Sequence, residues 1–332
     1  DLPKESAYRD VKPMAMTITF TPVEGIEEVR PGDDIASLIA ERTQLSAGDV
    51  VVVTSKIVSK AAGLASTATK EELLAAETDR VVARRGDTSI VRTHHGLTMA
   101  AAGIDNSNTA PGTLIPLPPD PDASAAEIRA RLRELTGLEV AVIISDTAGR
   151  AWRIGQTDIA IGCAGLIPFD AFAGRTDPYG NPLAVTSPAV ADQIAGGAEL
   201  ASGKFGARPV VIVRGTDPGW MTSDDGPGAR ALIRDEAQDM FGLGAREAAV
   251  AAIIGDRPVR GLPADSSSLD DIIDLALRGM SFSRSDLAIE GSGVVISVEA
   301  DEQVSAGVLA QRLVSLGIAH GLSITIRVAT PS

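Results

Sequence analysis

Aromatic residues, cysteine and histidine are all scarce in this chain. Phe, Trp and Tyr make up 3% of its 332 residues, so a core has to be built from Ala, Val, Ile and Leu. A single cysteine, Cys163, excludes an internal disulfide, and nothing points to an oxidising compartment. Three histidines, His94, His95 and His320, are too few to favour a histidine metal centre. No apolar run approaches the roughly 18 residues of a membrane span. The polar start "DLPKESAYRDVKP" has no apolar signal-peptide core. Positive charge is also in deficit. A formal net charge of -14 argues against a nucleic-acid backbone or an anionic membrane surface as partner. It leaves room for a local basic pocket that takes a phosphorylated small molecule. GxGxxG, HExxH and GxSxG are missing. The nearest approach to a Walker A sequence, "GAELASGKF" at 197–205, lacks the hydroxyl residue after Lys204 and closes a helical stretch instead of opening one. A cytoplasmic protein is the default expectation.

What is present is an orderly alternation of apolar strands and amphipathic helices. Residues 1–13 read as a disordered tail or a cloning remnant, 14–255 as the main domain, and 256–332 as a small strand-helix-strand module. The linker-like "GDRPVRGLPADSSS" separates the last two. Helices are expected where "RPGDD" leads into "IASLIAERTQL", over "KEELLAAETDRVVARRG", over "ASAAEIRARLRELTG" with its glycine stop, and over "SPAVADQIAGGAELASGK". "ARALIRDEAQDMFGLGAREAAVAAI" reads as helical with a break. "VVVV" at Val50–Val53, "EVAVII" and "RPVVIVRG" read as strands.

Three of the apolar stretches end in polar groups fit for chemistry: "TSKIVSK", "GIDNSN" and "SDTAGR". Ligand sites form where strands end and loops converge. Asp105 and Asp146 are hard oxygen ligands of the kind Mg²⁺ or Mn²⁺ prefers. Thr147 and Ser107 add hydroxyls, Lys56 and Lys60 can meet phosphate oxygens, and Arg150 and Arg153 can make bidentate contacts. Each of these residues taken alone is also what a turn or a cap carries; the set together fits a phosphate-metal site. Cys163, among Gly, Ile and Ala, reads as a small buried residue. Trp220, in the long loop "TDPGWMTSDDGPG", suits either stacking on a ligand ring or anchoring the loop.

Five blocks in register carry a resemblance: "VTSKIVSKAAG", "AAAGIDNSNTAPGT", "ISDTAGRAWRIGQTDIAIGCAGL", "DPYGNPLAVTSPAVADQIAGGAELASGK" and "PVVIVRG". Over about residues 17–250 the chain resembles the γ-glutamyl ligases of coenzyme F420 biosynthesis, in their actinobacterial form. The resemblance implies an α+β fold with mixed sheets, an intertwined homodimer, and a GTP-dependent ligase. Such an enzyme adds L-glutamate to the carboxylate of the deazaflavin precursor F420-0, and then further γ-linked glutamates, through an acyl phosphate. It implies Asp105 and Asp146 at one divalent cation, Mg²⁺ or Mn²⁺, and Thr147 at a second, with Glu199 a further acidic candidate and K⁺ an additional ion. Asn108, Ser55, Lys60 and the turn Ile26, Glu27, Glu28, Val29 match nucleotide-contacting positions, and Gly203 and Lys204 fall near them. Arg150 and Arg153, with Asp146, are assigned to the reacting groups, and Gln156 is expected to line the same site.

The departure is at the carboxyl end. Actinobacterial relatives often continue into a flavin-binding, nitroreductase-like domain of about 200 residues. The tail here is far shorter, and only "RPVRGLP" resembles that domain's start, so neither FMN nor reductase activity is expected. Two alternatives stay open: a non-catalytic nucleotide- or deazaflavin-binding protein of the same fold, and a ligase for a related carboxylate acceptor.

Overall fold

Four consecutive valines, Val50 to Val53, predict a strand buried on both faces, and they form the middle strand of the principal sheet. The computed structural model describes residues 17–106, 112–203, 206–235, 238–239, 241–254, 268–291, 293–299 and 302–329. The tail expected at 1–13 and the stretch "RPVRGLP" lie outside the described residues. The chain divides into two compact units, residues 1–80 with 90–233 and residues 81–89 with 234–332.

The first unit begins with β1 (Thr19–Pro22), α1 (Ile35–Arg42), β2 (Val50–Thr54), α2 (Ser55–Ala61) and α3 (Lys70–Glu77). α1 starts where the sequence places it: the Asp34 carboxylate accepts from the Ser37 amide, satisfying one of the free N–H groups of the first turn. α3 opens on a capping box between Thr69 and Glu72. The helix expected to continue through residue 86 stops at Glu77, and β3 (Thr78–Arg85), which from Val81 on belongs to the second unit, replaces its second half. The β-branched Thr78, Val81 and Val82 favour the extended chain. Gly86, at φ +55, then turns it into β4 (Thr88–Thr93), which pairs antiparallel with β5 (Thr98–Ala100). α4 (Pro121–Thr136) is capped by Asp120 and stopped by Gly137 in the left-handed conformation. The unit continues through β6 (Ala141–Gly149), β7 (Gln156–Ala164), β8 (Arg175–Thr176), β9 (Pro182–Leu183), α5 (Val190–Ser202) and β10 (Val210–Arg214).

The principal sheet runs β1-β10-β2-β6-β7, with every neighbouring pair antiparallel except β2 and β6. Val51, Val53, Val142 and Ile144 face the layer that holds Ile39 of α1 and Leu132 of α4. Val50, Val52, Ala141 and Ile143 face Ile194 and Ala198 of α5. Each fully buried Val or Ile stabilises by on the order of 2 kcal/mol, so both faces hold β2 and β6 in place. The register of that one parallel pair sets Thr54 beside Ser145. β2 ends there while β6 runs on to Gly149, so Ser55 and Asp146, the residues that follow, lie side by side.

In the second unit, α6 (Ala245–Ile254) and α7 (Leu269–Leu277) precede β11 (Leu287–Glu290), β12 (Gly293–Ser297), α8 (Gln303–Ala319) and β13 (Thr325–Ala329). The expected strand-helix-strand is β12–α8–β13, its two strands parallel; β11 adds an antiparallel edge that sequence reading left out. Ile272, Ile296, Leu309 and Leu313 make a core of its own. The stretch expected to be helical with a break is a 3₁₀ turn at Ala229–Leu232 followed, much later, by α6. Gly244 precedes α6 where a side chain would collide with the Val82 carbonyl. The fold class is α+β with mixed sheets and several helices. Among the described residues no helix is long and apolar enough to cross a membrane.

Candidate active site

α2 begins directly where β2 ends, so Ser55 sits at the sheet edge with no intervening loop. Its buried hydroxyl donates to Asp146 Oδ1 at 2.8 Å, joining residues 91 positions apart. One residue on, Thr147 pairs across the β6–β7 hairpin with Asp158. The Asp158 carboxylate accepts from Thr147 Oγ1 at 2.8 Å and from Ser145 Oγ at 3.0 Å. Its own amide donates to Glu199 Oε2, on α5, at 3.0 Å. Asp105 follows β5, is held by a bridge to Ile115, and makes an ion pair with Lys56 Nζ at 2.6 Å. Lys60, one turn along α2, pairs with Glu28.

These groups line one cleft of about 520 Å³. Its walls include Ile26, Glu27, Glu28, Val29, Ser55, Lys56, Lys60, Asp105, Asp146, Thr147, Asp158, Glu199, Gly203 and Arg208. Carboxylates outnumber cations there, and the imbalance is felt at Asp146. Burial pushes its acid up to about 7, the hydrogen bond from Ser55 opposes the rise, and the negative charges of Asp158 and Asp105 add to it.

The donor set is one of hard oxygens. Among the described residues no group of three or more His, Cys, Asp or Glu is arranged to hold a metal ion by itself. A cation such as Mg²⁺ takes one or two carboxylates and completes its shell with substrate phosphate and water. Asp105, Asp146 and the Thr147 hydroxyl fit such an ion chemically, and a cation would relieve the charge that raises the Asp146 acid.

Of the residues singled out in the sequence, Ile26, Glu27, Glu28, Val29, Ser55, Lys60, Asp105, Asp146, Thr147, Glu199 and Gly203 come together in this cleft. Asn108, Ser107 and Lys204 lie outside the described residues. Arg150 and Arg153 are placed elsewhere, on the exposed tip that joins β6 to β7, with Gln156 exposed at its foot. Pairing continues straight past the cleft to Gly149 and Gln156, which carries Arg150 about 13 Å along the strand from Asp146. There the Arg150 guanidinium donates to the Ile154 carbonyl. The residue that sequence reading missed is Asp158. Its signal was a carboxylate inside the otherwise apolar run "TDIAIGCA".

His94 and His95 line a separate cleft of about 530 Å³ in the same unit. Their Nε2 atoms meet the carbonyls of Ala76 and Pro118, which only accept, so each Nε2 carries a proton. Cys163 is buried, and burial pushes its thiol up to about 12. Trp220 is a packing anchor, half-buried against the α5 layer, with Nε1 directed at Asp170.

The model of the family described as F420-0:gamma-glutamyl ligase matches residues 25–71 and 64–215. That span contains every residue named above as lining the first cleft. Coenzyme F420:L-glutamate ligase of Methanopyrus kandleri is 39% identical over 246 residues, 68% of this chain and 98% of that protein.

The chain belongs to the F420-0:gamma-glutamyl ligase family.

The protein of the same name from Methanothermobacter thermautotrophicus is 38% identical over 252 residues, covering 99% of its length. That from Haloarcula marismortui is 36% identical over 251 residues, covering 96%. As a member of the family this chain is an enzyme of the ligase class, one that forms carbon–nitrogen bonds. The family match ends at residue 215, short of the second unit's α6, α7 and α8.

Proposed function

We propose that the cleft at the end of β2 and beside Asp146 and Thr147 of β6 joins L-glutamate to the carboxylate of F420-0 at the expense of GTP, and then adds further glutamates through γ-linkages. The observation that carries the reading is the location of the cleft. Its acidic edge and two lysines lie wholly inside the region that matches relatives named for this ligation.

A carboxylate cannot be attacked usefully by an amine, because oxide is not expelled. In the proposed sequence a carboxylate oxygen of the precursor attacks the γ-phosphorus of GTP. The bridging P–O bond breaks, and GDP leaves with the electron pair. The neutral amine of glutamate then attacks the acyl carbon; phosphate departs, and the nitrogen loses its proton. No covalent enzyme nucleophile is required, so what the protein supplies is position and charge. Lys56 and Lys60 exchange their carboxylate partners, Asp105 and Glu28, for phosphate oxygens. The turn at Ile26–Val29 borders the nucleotide, and Asn108, Gly203 and Lys204 are assigned to it by the resemblance. Asp105 and Asp146 would hold one divalent cation and Thr147 a second, with Glu199 a further acidic candidate in the same cleft. When bound, these cations neutralise charge on the phosphoryl group in transfer. Mg²⁺ or Mn²⁺, K⁺ as an additional ion, a homodimer and a cytoplasmic setting belong to the same proposal.

The test is mass spectrometry of a reaction holding F420-0, L-glutamate and Mn²⁺, with and without GTP. Glutamylated products that appear only with GTP, matched by GDP and phosphate, are the expected result. GTP binding with no product would leave a non-catalytic binder of the same fold, or a ligase for another carboxylate.

A further inference from the structure

Each hydroxyl at the cleft edge has one proton to give, and the structure shows where two of these protons go. Thr147 Oγ1 donates to Asp158 Oδ1 at 2.8 Å, and Ser145 Oγ donates to Oδ2 of the same carboxylate at 3.0 Å. Asp158 is itself fixed by its amide, which donates to Glu199 Oε2 at 3.0 Å, and the residue is 8% exposed. Ser145 is buried at the cleft wall, and its bond holds the Asp158 carboxylate from the other side. Thr147 lines the cleft as well and is only half-buried, so its oxygen is the more open of the two. With its proton directed back to Asp158, it offers the cleft only lone pairs. An unconstrained threonine hydroxyl could donate to a phosphate or accept from a cation. Here the first option is withdrawn.

We propose that Asp158 is a positioning residue for the ligation: it orients Thr147 so that the hydroxyl faces the cleft as an oxygen ligand for a divalent cation. The assignment rests on the ligase reading above and adds to it a residue that acts through the Thr147 hydroxyl. Outer groups that orient a ligating oxygen characteristically change metal affinity or activity by about 10- to 100-fold when removed.

In Asp158→Asn one carboxylate oxygen becomes an amide NH₂. Ser145, fully buried, keeps the remaining oxygen, since an unmatched hydroxyl there is the costlier loss. The NH₂ then faces Thr147 and donates to it, and the Thr147 proton swings into the cleft, where it opposes a cation. Mn²⁺ is titrated calorimetrically into wild type, Asp158→Asn, Thr147→Val and the double variant, each holding GDP. GDP affinity without Mn²⁺ and F420-0 glutamylation are measured alongside. The expected result is a loss of about 10- to 100-fold in Mn²⁺ affinity for Asp158→Asn, GDP affinity without metal unchanged, and a double variant no worse than Thr147→Val. Wild-type Mn²⁺ affinity in Asp158→Asn, or losses that add fully in the double variant, would overturn the positioning role. If Asp158→Asn does not fold, Thr147→Val reads the same hydrogen bond from its other end while leaving Asp158 bonded to Ser145. Unchanged Mn²⁺ affinity there also overturns it. A wild-type protein that neither binds Mn²⁺ nor glutamylates F420-0 overturns the ligase reading itself, whereas wild-type turnover with an unaffected Asp158→Asn overturns the positioning role alone.

Discussion

Replacing Asp146 by asparagine should make the metal-free protein more stable at pH 8 while abolishing turnover. The carboxyl is raised from the usual 3.8 to about 7, first by burial and then by its acidic neighbours Asp158 and Asp105, against the pull of the Ser55 hydroxyl. Between those two pH values the folded protein holds a proton that the unfolded chain has released. Stability from this group is therefore complete below about pH 4 and is lost as pH rises through 7. One pKa unit corresponds to about 1.4 kcal/mol, so the full rise would cost about 4 kcal/mol at pH 8. Asp146 keeps some contact with solvent, which brings the expected figure to about 2–3 kcal/mol. Asparagine retains an oxygen for the Ser55 hydroxyl and carries no charge. The assay is thermal unfolding from pH 5 to pH 8 in the presence of a chelator. Wild type should lose stability across that range, and Asp146→Asn should lose less. At pH 8 the variant should melt about 5–10 °C higher, at about 2–4 °C per kcal/mol for a protein of this size. Mn²⁺ should close the gap by stabilising only wild type. Parallel pH profiles for the two proteins would refute the electrostatic reasoning, and near-wild-type turnover in the variant would refute the proposed cation site.

Two further outcomes follow from the same geometry. Lys60→Ala should raise the KM for GTP about tenfold, or about 1.4 kcal/mol, with a smaller change in kcat, since Lys60 lies beside Glu28 on the side of the cleft proposed above for the nucleotide; steady-state kinetics with GTP as the varied substrate measures both. Gly162→Ala should destabilise the first unit by about 3 kcal/mol, because a Cβ there would stand 2.2 Å from the Pro121 carbonyl where α4 packs on β7; a urea midpoint no lower than wild type's would contradict the packing.

The local decisions in this fold were legible in the sequence because neighbouring residues make them. Asp34 and Asp120 cap helices three residues ahead of the amides they accept from, and Gly137 ends one by adopting a conformation open mainly to glycine. Four valines in a row mark a strand covered on both faces. Asp105, Asp146 and Thr147 stood out as a set, since each alone is also what a turn or a cap carries. Where two local preferences compete, the sequence was less decisive. "KEELLAAE" favours helix strongly enough to carry the expectation into "TDRVVARR", which pairing makes a strand.

Only the tertiary structure decided which polar groups share a site. Thr54 beside Ser145 is a register between strands about ninety residues apart, set by packing on both sides of the sheet, and it brings Ser55 to Asp146. The length of the β6–β7 hairpin carries Arg150 and Arg153 past the cleft, although both lie within seven residues of Asp146. The same hairpin returns Asp158, twelve residues further on than Asp146, to face Thr147. Backbone preferences act over a few residues, whereas strand register and hairpin length depend on the whole core that closes around them.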